Sequence, residues 1–358
     1  MTTKRSFLDE VGDAHVVAAA RIAFGFLLLV QAWENATEQL REGFFGEHFH
    51  YAFIPEQFVP SERTYALILC LQAVAGVLVI LGHFARPALM FSALAITYAM
   101  LCDRLHFHHN RWALACYAFL LSFTPCDRAR ALGLEKGTPS GGPLWAQRLA
   151  MLQVSIVYLA SGGSKLFDRD WRSGQVLFDR MIRYGQNAID SGVPERVVTF
   201  FQQEDVASFL AKGAIATELF LAIALQTRRL RIPALFIGLC FHVAIEATSR
   251  VELFSFTTFA AYLLFATPDL RARTLRYDPT RRKAVMLAWI VRSLDWLARF
   301  DVAPWQADGL SAKRSFVVTD RDGVPKTRFP AVMTLMRALP LTFPIWAILY
   351  PFAVRSKE

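Results

Sequence analysis

Long apolar runs without charged residues limit the fold of this chain more than any other feature. Residues Leu149 to Ser164 carry no charged side chain, and similar runs recur along the first three quarters of the sequence. A helix needs about 20 apolar residues to cross a hydrocarbon layer of about 30 Å, and in lipid the backbone N–H and C=O groups must be paired within the protein. Since 54% of the 358 residues are hydrophobic, the sequence predicts an all-α polytopic membrane bundle.

Eight transmembrane helices fit the apolar runs. The predicted spans are residues 16–34, 64–82, 86–102, 112–125, 145–165, 206–226, 230–248 and 252–268. The third and fourth are short or interrupted, and three prolines break a further apolar run at 338–354, so counts of eight and nine are both open. We predict a transmembrane domain over residues 1–270 and a small cytoplasmic α+β tail over 271–358.

The distribution of basic residues predicts the orientation in the membrane. The formal net charge is +9, and arginine and lysine are concentrated in alternate loops, such as the one that holds Arg228, Arg229 and Arg231. Cytoplasmic loops of membrane proteins are rich in these residues. We therefore predict cytoplasmic termini, a functional face on the external, periplasmic or lumenal side, and no role for the charge in binding nucleic acid.

Neither the cysteines nor the histidines form a complete metal-binding pattern. The five cysteines are scattered and include no CxxC pair, which argues against a zinc site or a disulfide framework. His106, His108 and His109 precede Asn110 near the start of the fourth predicted span, but a metal site needs a fuller ligand set than this cluster offers. We predict no bound metal and expect packing or hydrogen bonding at these histidines.

Lys165 ends the fifth predicted span and allows two interpretations. A lysine at a helix end commonly extends its amine to the lipid headgroups. The preceding Ser161-Gly162-Gly163-Ser164 favours a second role, because small residues let a helix or a ligand approach the backbone closely. An amine desolvated against such a surface is favoured in its neutral form, which is a base.

Three more polar residues lie inside apolar runs. Glu218 is in the middle of IATELFLAIAL, where a charged group costs several kcal/mol unless it is paired or protonated. His242 and Glu246 are four residues apart and share one helix face. Both sets allow two interpretations, a hydrogen-bonded tie between helices or proton-transfer chemistry.

Four stretches follow one another in an order that resembles a known family. They are HNRWALACYAFLLSFTPCDRARAL (109–132), VSIVYLASGGSKLFDRDWRSGQVL (154–177), TELFLAIALQTRRLRIPALFIGLCFHVAI (217–245) and ELFSFTTFAAYLLF (252–265). Their order and spacing resemble the HTTM domain of vitamin K-dependent gamma-carboxylase-like membrane proteins, over roughly residues 10–270. The resemblance implies a membrane enzyme that acts at the outer face on a hydrophobic small molecule, with a reduced quinone as cofactor.

The resemblance also implies roles for particular residues. In the carboxylases a lysine deprotonates vitamin K hydroquinone, oxygen addition gives a stronger base, and CO2 then adds to a glutamate. Lys165 matches that lysine and His242 matches a family histidine, and the matching stretches also contain Glu218, Asp170 and Trp171 as supporting residues. Glu246 is added as a supporting residue because it shares the helix face of His242. The match departs from the family pattern at His109-Asn110 and in the spacing from Lys165 to Asp170-Trp171. The animal enzymes also carry a large lumenal domain for which this chain is too short, so carboxylation of peptide glutamates is not carried over.

The tail resembles part of another family. Residues 316–340, FVVTDRDGVPKTRFPAVMTLMRALP, resemble the second half of a DCC-type thioredoxin-like domain, and they predict a strand, a tight turn and a short helix from Arg328 to Leu339. The region contains no cysteine, so we expect it to pack or dock and not to perform dithiol chemistry.

Two functions from different classes fit the sequence. The first is a membrane enzyme of a carboxylase-like lyase or quinone-linked oxidative type, with Lys165 as base, His242 in support, and His109 or Asn110 as further supporting residues. The second is a non-catalytic membrane module that binds lipid or a protein partner and uses Lys165 as an anchor. A transporter is disfavoured because inverted repeats with broken helices are not visible.

Overall fold

The computed structural model describes residues 11–42, 51, 53–104, 107–134, 141–249, 253–266, 273–305 and 315–355. The predicted cluster residue His106 lies outside these ranges. The chain divides into two compact units. The first unit is Met1–Ala150 with Glu252–Glu358, and the second is Met151–Val251.

Helices dominate both units. In chain order they are α1 (Ala14–Glu42), α2 (Glu62–Leu81), α3 (Ala85–Cys102), α4 (His109–Ser122), α5 (Trp145–Phe167), α6 (Arg169–Ser173), α7 (Gln175–Asp190), α8 (Glu195–Phe201), α9 (Glu204–Ala224), α10 (Arg231–Ser249), α11 (Phe254–Tyr262), α12 (Arg282–Leu294), α13 (Arg328–Ala338) and α14 (Phe343–Arg355). Short 3-10 turns occupy Glu56–Phe58, Leu263–Phe265 and Pro340–Thr342.

The strands form two small sheets in the first unit. They are β1 (Val11–Asp13), β2 (Gly141–Pro143), β3 (Arg273–Tyr277), β4 (Phe300–Pro304), β5 (Phe316–Thr319) and β6 (Pro325–Lys326). β1 and β2 pair antiparallel, and the other four form a sheet in the order β4-β3-β5-β6.

A helix is present at each of the eight predicted span positions, but the count of eight spans is not confirmed. In the described part of the chain, five helices are long and apolar enough to cross a membrane, namely α1, α2, α3, α5 and α9. α4 has 14 residues, which at 1.5 Å per residue reach about 21 Å, short of a 30 Å layer. α11 and its 3-10 turn are shorter still.

The tail contains the predicted α+β structure and more. The strand and helix predicted for 316–339 are confirmed as β5 and α13. Ahead of them, β3 and β4 pair in parallel through α12, a unit that the sequence analysis did not place. Leu275, Ala288 and Val318 are buried in the core of this small domain. Of the three prolines in the last apolar run, Pro340 lies at a bend of 107° after α13, whereas α14 continues through Pro344 and Pro351.

The first unit is held by α1, which packs against α2, α4 and α11. Arg21 of α1 is completely buried. Its guanidinium donates to the backbone carbonyls of Ile80 (3.3 Å), Cys126 (2.7 Å), Ala129 (3.3 Å) and Arg130 (2.6 Å). Gly82 ends α2 with a φ of +76°, and any Cβ there would collide with the Arg21 guanidinium. One arginine therefore fixes the end of α2 and the segment that follows α4.

Candidate functional site

The candidate site lies in the second unit, on one face of α5. Tyr158, Ser161 and Lys165 follow one another at intervals of three and four residues, which places them on the same side of a helix. α5 continues to Phe167, so Lys165 occupies its last turn. The partners of this face come from α9 and α10.

Lys165 forms an ion pair with Glu218 of α9. The Lys165 Nζ lies 2.5 Å from Glu218 Oε1 and also donates to Ser161 Oγ at 3.0 Å. Ser161 Oγ donates to the same Glu218 Oε1 at 3.1 Å. The Glu218 side chain is 2% exposed and that of Lys165 is 17% exposed. The amine is therefore held by a carboxylate and a hydroxyl, and it is not extended freely into the headgroup layer.

The second carboxylate oxygen of Glu218 is different. Among the described residues, no group forms a hydrogen bond with the buried Glu218 Oε2. A buried acceptor without a partner costs about 1–3 kcal/mol, a cost that a proton or a ligand hydroxyl at this oxygen would remove. One carboxylate oxygen of Glu218 therefore accepts a hydrogen bond from Lys165, and the other has no partner among the described residues.

The two glycines before Lys165 have different surroundings. A Cβ on Gly162 would lie 3.1 Å from the side chains of Glu218 and Leu219, whereas a Cβ on Gly163 would meet nothing within 4 Å. Gly162 therefore allows the close approach of α5 and α9 that brings Lys165 to Glu218. Gly163 lies about 200° around α5 from Lys165, so its open space is on the other side of the helix from the ion pair.

Trp171 covers the amine from the other side. The Lys165 Nζ lies 4.8 Å from the centre of the Trp171 ring, within cation–π range. The short helix α6 positions this ring, because Asp168 caps it by accepting hydrogen bonds from the backbone N–H groups of Asp170 and Trp171. Asp170 itself is exposed.

His242 of α10 pairs with Tyr158 of α5. The Tyr158 hydroxyl and the His242 Nε2 are 2.7 Å apart, and the two residues are 2% and 0% exposed. Glu246, one turn further along α10, is partly buried, and its Oε2 has no hydrogen-bond partner in the described part of the chain. The second unit thus brings together Lys165 and Glu218 in one contact and Tyr158 and His242 in another.

Comparison with known proteins identifies the family. A family model described as the HTTM domain matches residues 10–270, almost three quarters of the chain. This chain belongs to the HTTM-domain family. No curated protein and no solved structure gives a significant match.

Two predicted site residues of the HTTM domain lie in the first unit. His109 and Asn110 lie in the first turn of α4. His109 is exposed and its ring contacts the ring of Phe107, whereas Asn110 is buried. His108 precedes the helix, and its Nδ1 accepts a hydrogen bond from the Asn110 N–H at 3.4 Å. Within the described ranges, no group of three or more His, Cys, Asp or Glu side chains could hold a metal ion.

Two residues of the candidate site in this HTTM domain were not predicted from the sequence. Tyr158 and Ser161 were not predicted as site residues, although they lie seven and four residues before Lys165. Helical spacing places all three on one face, so a search of the lysine's own face for polar groups would have found both.

Proposed function

We propose that this HTTM protein is a membrane-embedded enzyme in which Lys165 removes an acidic proton from a hydrophobic substrate. The observation that carries the proposal is the buried contact of Lys165 with Glu218. The carboxylate is a titratable partner with one oxygen uncommitted in the described structure.

The proton balance assigns a role to each group. Glu218 Oε1 takes a proton from the Lys165 ammonium across their 2.5 Å contact, which leaves a neutral amine beside a neutral carboxylic acid. The neutral amine then accepts a proton from a substrate hydroxyl, so Lys165 is an ammonium again and the substrate is an anion. Ser161, which donates to Glu218, holds the carboxyl group in place during the exchange.

Tyr158 and His242 are proposed to support this step. Their 2.7 Å contact joins two groups that can each donate and accept a proton. Both are buried, so water does not compete for the hydrogen bond. The pair joins α10 to α5 and holds the imidazole at Tyr158, on the same face of α5 as Ser161 and Lys165.

A reduced quinone is the substrate class that fits these residues. A quinol would supply an acidic hydroxyl and an apolar body, and the chain offers an amine, the Trp171 ring and a Glu218 oxygen that has no partner among the described residues. The reaction that follows is of the carboxylase-like lyase or quinone-linked oxidative class that the family resemblance implies.

The test uses full-length protein in lipid nanodiscs. Wild type, Lys165→Ala and Lys212→Ala are each supplied with a reduced naphthoquinone under oxygen, and quinol loss and products are followed by mass spectrometry. Lys212 is an exposed lysine of α9 and serves as the matched control. We expect consumption by wild type and Lys212→Ala and a loss of about 100-fold or more in Lys165→Ala, the scale of a missing general base. Equal consumption by all three proteins would overturn the proposal.

The same ion pair also fits the alternative function, a non-catalytic membrane module. The contact joins α5 to α9 and would tie the two helices together even without chemistry. In that case Lys165→Ala would unfold or loosen the second unit, and wild type would bind a quinone or lipid without converting it.

We also propose that the tail is a thioredoxin-like docking domain without redox activity. The parallel β3-α12-β4 unit and the β5-β6 hairpin support the DCC-type resemblance. Residues 271–358 contain no cysteine, so dithiol exchange is not part of its function. The cytoplasmic side for the tail and the opposite side for Lys165 remain predictions from loop charge.

A further inference from the structure

Helix α12 of the tail has two contrasting faces. Ala284, Ala288 and Val291 are buried in the core of the small domain. On the opposite side, Val285, Met286 and Trp289 are 41%, 58% and 67% exposed. At 100° per residue these three lie within one third of the helix circumference, so they form a continuous apolar strip, which we call the α12 strip.

Basic residues border the α12 strip. Arg282 and Lys283 open the helix and are both exposed, and Arg282 projects on the same side as Trp289. No acidic residue occurs between Arg282 and Leu294. The strip therefore combines an apolar centre that contains a tryptophan with a positively charged end.

The position of α12 brings this strip close to the bilayer. Leu297, which follows the helix, packs in one cluster with Val16 and Ala19 of the first candidate span. Arg130 also donates to the Asp295 carbonyl at 2.5 Å. The C-terminal end of α12 is thus held against the start of α1, the first candidate membrane span.

We infer that the α12 strip lies on the bilayer surface and that Arg282 and Lys283 bind anionic phospholipid headgroups. Helices with an apolar strip and basic flanks lie in the plane of the membrane interface, where tryptophan is enriched. Each basic residue near an anionic surface strengthens association about five-fold. The basic end of the strip complements that charge, and the contact with α1 supplies the proximity.

The test uses full-length protein with Cys70, Cys116 and Cys240 replaced by alanine, since these three cysteines are exposed or partly exposed. A nitroxide label is attached at Met286→Cys or, as a matched control, at Val324→Cys. Val324 is an exposed apolar residue of the tail, 52% exposed, outside α12. Relaxation by oxygen and by a water-soluble nickel complex is compared in nanodiscs with phosphatidylcholine alone and with added phosphatidylglycerol.

We expect the Met286→Cys label to be shielded from nickel and open to oxygen in the anionic discs, and the Val324→Cys label to be open to nickel in both. Arg282→Gln with Lys283→Gln should lower the ratio of docked to undocked tail about 25-fold. Because these two side chains are exposed, the variant retains its fold. Nickel access at Met286→Cys equal to that at Val324→Cys would overturn the inference. The inference would also be overturned if the Met286→Cys label were shielded equally in both kinds of disc and more strongly at higher protein concentration. That result would show that a second copy of the protein covers the strip.

Discussion

Two cations inside apolar helices are held in opposite ways. Arg21 in the first unit donates to four backbone carbonyls and is fully buried. Lys165 in the second unit is bound by two side chains, Glu218 and Ser161, and retains some exposure. Arginine presents a rigid set of donors and stays charged, whereas lysine changes its protonation state readily when buried.

The difference separates a structural cation from a candidate catalytic one. Backbone carbonyls are fixed and cannot accept a proton, so the Arg21 contacts serve only to join segments of the chain. Glu218 can accept a proton and has an uncommitted oxygen in the described structure, so the Lys165 contact permits exchange. A buried charge alone does not indicate function, and the chemistry of its partners is the better guide.

The largest expected effect tests the structural side of the comparison. Arg21→Ala leaves four carbonyls without this donor and should destabilise the folded protein by at least about 3 kcal/mol, because a buried acceptor that loses its donor costs about 1–3 kcal/mol. Arg21→Lys should recover only part of this, because an ammonium cannot reach four acceptors. Unfolding by denaturant in detergent, followed by circular dichroism, measures both. Wild-type stability of Arg21→Ala would show that the contacts are dispensable.

Variants of Gly162 and Gly163 test whether the close packing of α5 and α9 positions Lys165 beside Glu218. Gly162→Leu forces a side chain into a 3.1 Å contact with α9 and should cost about 1–3 kcal/mol through overpacking. Gly163→Leu enters open space and should be tolerated. The same unfolding assay compares them, and equal losses would mean that the close approach at Gly162 is not what positions Lys165.

The smallest expected effect concerns a carboxylate outside the membrane helices. Burial alone would raise the pKa of Asp320, but hydrogen bonds from the Arg321 N–H and Lys326, with the nearby Arg273 guanidinium, lower it below the ordinary 3.8. Its contribution to stability is therefore present above pH 3.8 and lost as the pH falls through the lower folded value. The contribution of Asp320 to the free energy of unfolding is below about 1 kcal/mol, because its ion pairs are accessible to solvent.

Hydrogen exchange of the tail between pH 3 and 6 in the full chain, after correction for the intrinsic rate, measures this contribution. Asp320→Asn should flatten the pH dependence. If the variant keeps the wild-type profile, another group is responsible. The result would measure how much a paired carboxylate outside the helices contributes to stability, for comparison with the buried Glu218.

The sequence predicted individual candidate residues but not the partners that the structure gives them. Lys165, Glu218 and His242 stood out because charged or ionisable groups are costly in apolar runs. That Lys165 meets Glu218, 53 residues away, could not be predicted, since periodicity defines a face but not which neighbouring helix it contacts. Arg21 was overlooked although it also lies inside an apolar run. In the tail, β3 and α12 were missed because short elements with mixed polarity give weak periodic signals.

The most direct test of the central claim is the turnover of Lys165→Arg with the reduced quinone in nanodiscs. Arginine preserves the positive charge and the contact with Glu218 but does not give up its proton. If Lys165 is the base, the variant should stay folded and bind the quinol, while its rate falls about 100-fold or more. Wild-type turnover by Lys165→Arg would contradict the account and would make this ion pair a structural tie of the same kind as Arg21.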